Sequence, residues 1–233
     1  EQVTRVISDY NPDAVIHCAA YTAVDKAEDE KDLCYSINVL GTKYVAEACK
    51  EIDAKMVYIS TDYVFDGEGD EPFGVTDKPN PINYYGQTKY EGEVEVQKIL
   101  DKYFVVRISW VFGSNGNNFV KTMLRLGKER DEISVVADQI GSPTYTYDLA
   151  TLLVEMIGTE KYGIYHATNE GYCSWYEFAC EIFKQAGITV KVNPIRTEDY
   201  PTKARRPKNS RLYKSPLIEL ENWEDALKHY INT

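Results

Sequence analysis

Long apolar runs are missing from this sequence. Nowhere do its 233 residues approach the roughly 18 consecutive apolar positions that a membrane-spanning helix requires, and no basic-then-apolar signal segment opens it. A soluble cytoplasmic protein with no membrane partner is the expectation. Cysteine is scarce and odd in number: Cys18, Cys34, Cys49, Cys173 and Cys180 are widely spread, in or beside apolar stretches that suit free thiols, which argues against a disulfide framework. Only three histidines occur, His17, His166 and His229, and none has a second His, Cys or carboxylate at metal-site spacing. Each reads as a core or surface histidine, and no catalytic metal is expected. Positive charge is also short. With 26 Lys and Arg against 37 Asp and Glu, the net charge of −11 disfavours nucleic acid, whose binding depends on cations displacing counterions from phosphates. Cations cluster once, at Lys203, Arg205, Arg206, Lys208 and Arg211, which leaves an anionic small ligand open.

What is present is a substantial core, since 43% of the residues are hydrophobic. Short apolar runs suited to buried parallel strands occur at Ala14–Cys18, Met56–Ser60, Phe104–Ile108 and Gly163–His166. Between and after them, apolar residues recur at three- and four-residue spacing over Asp32–Ile52, Tyr84–Leu100, Phe119–Arg130, Tyr147–Ile157 and Trp175–Ala186, which predicts helices. Strand, helix, strand in this order predicts an α/β fold with a Rossmann-like, doubly wound parallel sheet.

Such a sheet ordinarily opens with a strand, a glycine-rich turn and a helix, the glycines letting backbone approach a pyrophosphate at the helix N-terminus. No GxGxxG or GxxGxxG stretch occurs here; Val3–Tyr10 reads as the end of a helix and Asn11-Pro12-Asp13 as the turn into a strand. The expectation is that about 40 to 60 further residues, one and a half βα units, precede Glu1.

Among 19 tyrosines only Tyr85 is followed four residues later by lysine, Lys89, within YGQTK. Residues four apart on a helix share a face, so both side chains can enter one cleft, where the ammonium is expected to lower the phenol from about 10 towards working pH. A surface helix pair has the same spacing, so spacing alone leaves both readings open. The run STDYVFDG directly follows the strand MVYIS, placing Ser60 and Thr61 at the carboxyl end of a strand, where open α/β sheets hold their ligands.

With these pieces together the sequence resembles the extended short-chain dehydrogenase/reductases, and within them the dTDP-4-dehydrorhamnose reductase family. The resemblance rests on HCAAYTAVDKAE (17–28), INVLGT around Asn38, ISTDYVFDG (59–67), NYYGQTKYEGE (83–93), VRISWVFG (106–113), GNNFVKTM (116–123), VVADQIGSPT (135–144) and RRPKNSRL (205–212). It implies reduction of the C4 ketone of a dTDP-4-keto-6-deoxy-L-sugar with NADPH or NADH, giving dTDP-L-rhamnose, and it leaves the choice between the two cofactors open. By the same resemblance Tyr85 protonates the developing alkoxide, Lys89 bonds the nicotinamide ribose and Thr61 holds the carbonyl oxygen. Cys18, Ala19, Ala20, Tyr21, Asn38 and Ser60 fall on the cofactor side. Val24, Asp62, Tyr63, Trp110, Asn118, Lys121, Arg205 and Arg206 fall on the substrate side, with Trp110 and Val24 flanking the sugar and the two arginines suited to a diphosphate. Plain packing for Ala19, Ala20 and Trp110, and a solvated basic loop for the arginines, are the competing readings.

The implied division assigns 1–109 and 136–168 to a dinucleotide-binding domain and 110–135 with 169–233 to a smaller α/β substrate-binding lobe. The family includes homodimers, so self-association is admitted. The stretch Lys214–Trp223 looks shorter than the family pattern before its last helix. Two other readings stand beside the reductase: a non-catalytic protein like the regulatory subunit of methionine adenosyltransferase, and a nucleotide-sugar epimerase or dehydratase. The retained Tyr85, Lys89 and Thr61 argue against the first, and the SWVFG and DQIGSPT context against the second.

Overall fold

The computed structural model describes residues 2–214 and 219–232; part of the Lys214–Trp223 stretch therefore lies outside the described residues. From the N-terminus, helix α1 (Gln2–Tyr10) leads to strand β1 (Ala14–His17), then helix α2 (Lys31–Tyr35), a π-helical turn (Ser36–Gly41) and helix α3 (Thr42–Glu51). Strand β2 (Lys55–Thr61), helix α4 (Tyr84–Ile99) and strand β3 (Tyr103–Ile108) follow. The chain then leaves this sheet for β4 (Val111–Phe112), α5 (Phe119–Glu129), β5 (Glu132–Val136), β6 (Ile140–Gly141) and β7 (Thr144–Tyr145). It returns through α6 (Thr146–Ile157) to β8 (Gly163–His166) and ends with β9 (Cys173–Ser174), α7 (Trp175–Gln185), β10 (Lys191–Ile195), β11 (Asn209–Ser210) and α8 (Trp223–Ile231).

The four expected strands form one parallel sheet in the order β1-β2-β3-β8, with helices on both faces, so the fold is the Rossmann-like α/β class read from the sequence. The central strands β2 and β3 are buried on both sides, which explains why they read as continuous hydrophobic runs rather than alternating ones, while the outer strands β1 and β8 are mostly half-buried, with Ile16 of β1 exposed. Met56, Tyr58 and Val105 face helices α3 and α4, packing with Val45, Cys49, Val96 and Leu100. The residues between them in the strands, Val57, Phe104 and Val106, face α6 and pack with Leu149, Leu153 and Met156.

A second core lies where the chain leaves the sheet. Phe112, Val120, Met123, Ile133, Phe178, Ile182 and Leu227 join α5, α7 and α8 around β5, which pairs in parallel with β10. Short pairings, β4 with β7 and β6 with β9 and β11, stitch this part together.

One helix departs from expectation. The apolar periodicity over Asp32–Ile52 predicted a single α-helix, but the register widens to a π turn at Ser36–Gly41. The turn carries Asn38, which is buried and makes polar contacts on two neighbouring segments; π turns inside helices often serve to place such a residue. No helix among the described residues is long and apolar enough to cross a membrane.

Candidate active site

Helix α4 starts where its sequence provides a cap. Asn83 is extended and its Oδ1 accepts from Gly86 N at 2.8 Å, so the first helical residues, including Tyr85, are fixed at the end of the loop that leaves β2. The helix approaches that loop very closely: a Cβ on Gly86 would lie 2.1 Å from Tyr63 O. Glycine is required at this position by the backbone approach, and the approach sets Tyr85 against Thr61.

These elements enclose a cleft of about 490 Å³ at the carboxyl ends of β1, β2 and β3. Tyr85, Lys89 and Thr61 line it together, with Cys18, Ala20, Val24, Ser60, Asp62, Tyr63, Trp110 and Asn118. The other expected residues lie outside the lining. Tyr21 O–H donates to Glu30 at 2.6 Å, and Asn38 works from behind, accepting from Tyr21 N at 2.7 Å and donating to Thr88 Oγ1 at 3.0 Å. Asn38 thus ties the turn after β1 to the turn of α4 between Tyr85 and Lys89. Lys121 turns away; its ammonium donates to Ser114 O and Gly116 O at 2.7 and 2.8 Å and holds that loop. Asn118 caps α5, accepting from Lys121 N at 3.0 Å.

Arg205 and Arg206 lie on a strap that crosses to the loop after β1 and line a cavity of about 520 Å³ that shares no lining residue with the cleft. Arg206 pairs with Asp25 at 2.7 Å, Asp25 also accepts from Ala204 N at 3.0 Å, and Lys203 pairs with Asp29. Arg206, Asp25 and Tyr63 also line a further cavity of about 910 Å³ between α5, β5 and the strap. The basic cluster is therefore partly neutralised by acidic residues of the β1 loop, partners that its sequence spacing does not reveal.

The electrostatics revise one expectation. Burial pushes the Tyr85 phenol up from its ordinary value, Asp62 adds to the rise, and the Thr61 hydroxyl opposes it. Lowering by the Lys89 ammonium does not dominate, because Lys89 is itself desolvated and brought down to about 7, with Glu93 the largest opposing charge. A raised phenol stays protonated at neutral pH, the form that gives a proton away. Burial lifts the Asp62 carboxyl to about 6, against the hydroxyls of Ser210 and Thr61. Thr61 Oγ1 donates to Asp62 Oδ1 at 2.9 Å and accepts from Tyr63 N at 3.2 Å. Lys89 Nζ donates to Ile59 O at 2.7 Å and sits 4.1 Å from the Tyr58 ring centroid. His17, buried beside Thr42, is held neutral, its pKa down at about 4 through burial and the Lys89 charge.

The family model described as the RmlD substrate binding domain matches residues 1–233. The chain belongs to this family. It is 44% identical to a dTDP-4-dehydrorhamnose reductase of Aggregatibacter actinomycetemcomitans, over 98% of this chain and 84% of that protein. The crystal structure of the dTDP-4-dehydrorhamnose reductase of Bacillus anthracis str. Ames, in complex with NADP, superposes with a TM-score of 0.97 at 50% identity, over 100% of this chain and 85% of that one. Likeness to the UDP-glucose 4-epimerase of Thermus thermophilus, solved with NAD, has a TM-score of 0.81 at 21% identity over 99% and 80% of the two chains, and shows the shared fold alone.

Within this member of the RmlD family, the cleft contains residues that motif reading passed over. Trp175, the first residue of α7, stacks on Trp110 with ring centroids 3.7 Å apart. Its position after the capping-box serine, Ser174, marks only a helix start in the sequence. Ser109, Asn115, Asn117 and Thr146 also line the cleft, and nothing in their spacing sets them apart.

Proposed function

We infer that this protein is a nicotinamide-dependent reductase that converts dTDP-4-dehydro-β-L-rhamnose to dTDP-β-L-rhamnose. One observation carries the reading: in a chain of this family, Tyr85, Thr61 and Lys89 line a single cleft at the strand ends, although they come from a helix and the strand before it. The division read from the sequence puts 1–109 and 136–168 on the cofactor side and 110–135 and 169–233 on the sugar-nucleotide side, although the short strands β6 and β7 pair with β11, β9 and β4 of the latter.

The donor set fits a nicotinamide dinucleotide. Lys89 lines the cleft with one donor engaged by Ile59 O, which leaves donor capacity for ribose hydroxyls. Ala20 and Cys18 offer small side chains beside it. When bound, NADPH or NADH supplies the hydride that reduces the ketone.

The chain's own residues do the rest. Tyr85, protonated at neutral pH, gives its proton to the oxygen as negative charge develops there, a general-acid step worth typically about 10²–10⁴-fold. Thr61 turns its hydroxyl from Asp62 to the same oxygen and holds it in place. Lys89 orients the ribose, so that the reacting carbon and Tyr85 share one side of the cleft. Trp110 and Val24 form the apolar wall that suits a 6-deoxy sugar's methyl group. The strap carrying Arg205 and Arg206 faces the diphosphate and nucleoside end, where the cavity of about 910 Å³ lies. The partner is thus a small sugar nucleotide, in keeping with the net charge of −11 and the local cluster of cations.

The experiment is turnover of dTDP-4-keto-L-rhamnose by the full-length protein, followed as loss of reduced-nicotinamide absorbance. Consumption that requires the dTDP sugar supports the reading. Intact protein that binds the cofactor yet leaves the sugar unchanged overturns it, and conversion of a UDP-hexose without net cofactor use would favour the epimerase alternative.

A further inference from the structure

Behind the cleft lies a polar cluster that the steps above do not use. Glu93, one helical turn beyond Lys89 on α4, is fully buried, and its carboxylate accepts from Arg107 twice: Nε to Oε1 at 2.9 Å and Nη2 to Oε2 at 2.7 Å. Arg107, on β3, is only 2% exposed. Ser60, at the end of β2, donates to the same Oε1 at 2.5 Å. Beyond the arginine, Nη1 lies 3.5 Å from His166 Nε2 on β8, and the guanidinium stacks over Phe65 at 5.0 Å. One carboxylate therefore joins α4 to β2 and β3, and through Arg107 it reaches β8.

A buried ion pair is a poor device for stability alone, because desolvating both charges offsets most of their attraction and an apolar pair of similar volume often does as well. Its placement suggests a different role. Ser60 stands between Ile59, whose carbonyl receives the Lys89 ammonium, and Thr61, which lines the cleft. We propose that Glu93 is a positioning residue of the reductase centre: its carboxylate, held by Arg107 and Ser60, sets the register of the Tyr85–Lys89 helix against the Ile59–Thr61 strand end and places a negative charge one helical turn from the Lys89 ammonium.

The charged and titratable groups around Lys89 are consistent with this role. Cys18 and His17 face it from the β1 side, Cys34 from α2, and Tyr58 from β2. At neutral pH the thiols and Tyr58 are uncharged, burial raising all three, and His17 is neutral too. Tyr85 is protonated as well. Glu93 is left as the largest charge opposing the burial that lowers the ammonium.

The proposal rests on the reductase reading for its kinetic arm, and a second arm is independent of that reading. In cofactor-free protein labelled at lysine side-chain carbons, the NMR titration midpoint of Lys89 is compared between wild type and Glu93→Gln. The expected midpoint in Glu93→Gln is lower by about one pH unit or more, with the alkaline limb of kcat moving by the same amount. A scaffold role alone would lower kcat equally at all pH values and leave the Lys89 midpoint in place, and that result overturns the proposal. Arg107→Lys keeps a counter-ion but loses the two-point fork, so it should lower kcat about tenfold or more while the Lys89 midpoint stays put. It also carries the test of register should Glu93→Gln not fold, and full activity in Arg107→Lys would overturn that half. Absence of turnover in wild type would count against the substrate reading, while the titration arm still decides the role of Glu93.

Discussion

The indole of Trp110 lies flat on that of Trp175, centroids 3.7 Å apart and planes 15° from parallel, while the Trp110 backbone sits in the left-handed region at φ +48°. For a residue with a Cβ that conformation costs roughly 1–2 kcal/mol, and it persists only where the surroundings over-determine it. Here they do. Phe119 packs on Trp175 at 4.6 Å, and Gly141 leaves room for the Trp110 ring, which a Cβ there would approach to 2.9 Å. If Trp110 forms the sugar wall as proposed, Trp110→Ala should raise KM for the sugar nucleotide about tenfold and leave the cofactor Kd unchanged. Trp110→Gly should match it kinetically but resist urea better by about 1 kcal/mol, because glycine adopts this backbone without strain. Equal urea midpoints for the two variants would contradict a strained Trp110.

Gly86→Ala tests the contact between α4 and the loop after β2. The new methyl would sit 2.1 Å from Tyr63 O, also meeting Pro81, so either the helix start or the Thr61–Tyr63 segment must move. Displacement by about 1 Å at reacting groups typically costs about 10²-fold. The expectation is a kcat loss of that order with destabilisation of about 2 kcal/mol, read by steady-state kinetics and denaturant unfolding. A Gly86→Ala protein with wild-type kcat would show that Tyr85 and Thr61 are not held together by this approach.

The Asp25–Arg206 pair tests the strap. Because Asp25 accepts from both Arg206 and Ala204 N, Asp25→Asn should loosen the strap as Arg206→Ala does, each raising KM for the dTDP sugar several-fold. The pair is partly exposed, so its coupling in a double-mutant cycle should be modest, about 0.5–1 kcal/mol. Cofactor affinity should not change. Equal effects on cofactor and sugar would reduce the cluster to a general electrostatic role, with the salt sensitivity that follows from it.

Much of the fold could be read from the residues, because a parallel sheet covered on both faces needs apolar strands and amphipathic helices, and both leave periodic marks. The second core left weaker marks. Strands such as β4, β6, β7, β9 and β11 are two residues long and are defined by pairing partners far away in sequence, which no local pattern records. The π turn at Asn38 is invisible for a related reason: the polar contacts it accompanies are with Tyr21 and Thr88 on other segments. At the site, helix spacing and a strand end offered Tyr85, Lys89 and Thr61 as candidates, and the family resemblance singled them out. The reversal of the expected Tyr85 shift could not, since burial is a property of the assembled cleft. Glu93 and Arg107 were likewise unremarkable in the sequence until folding placed them in one buried pair.

Asp62 gives a prediction in which stability and pH are linked. Its carboxyl is raised from 3.8 to about 6, burial being the largest cause, so the folded chain binds the proton more tightly than the unfolded chain does. Below pH 4 the group is protonated in both states and adds nothing. As pH rises from 4 through 6 the unfolded chain releases its proton first, stability falls, and above 6 the full penalty of the buried charge is present. A rise of this size corresponds to about 3 kcal/mol. Asp62→Asn removes the charge and keeps the shape, so it should unfold at higher urea than wild type at pH 7, with the gain vanishing near pH 4. The same variant should turn over poorly, because Asp62 lines the cleft and accepts from the Thr61 hydroxyl. A stability gain bought with activity is the usual trade at a site built around a desolvated charge. If Asp62→Asn shifted the urea midpoint equally at pH 4 and pH 7, the carboxyl would not be titrating between them, and the account of Asp62 as a strained, buried acid would fail.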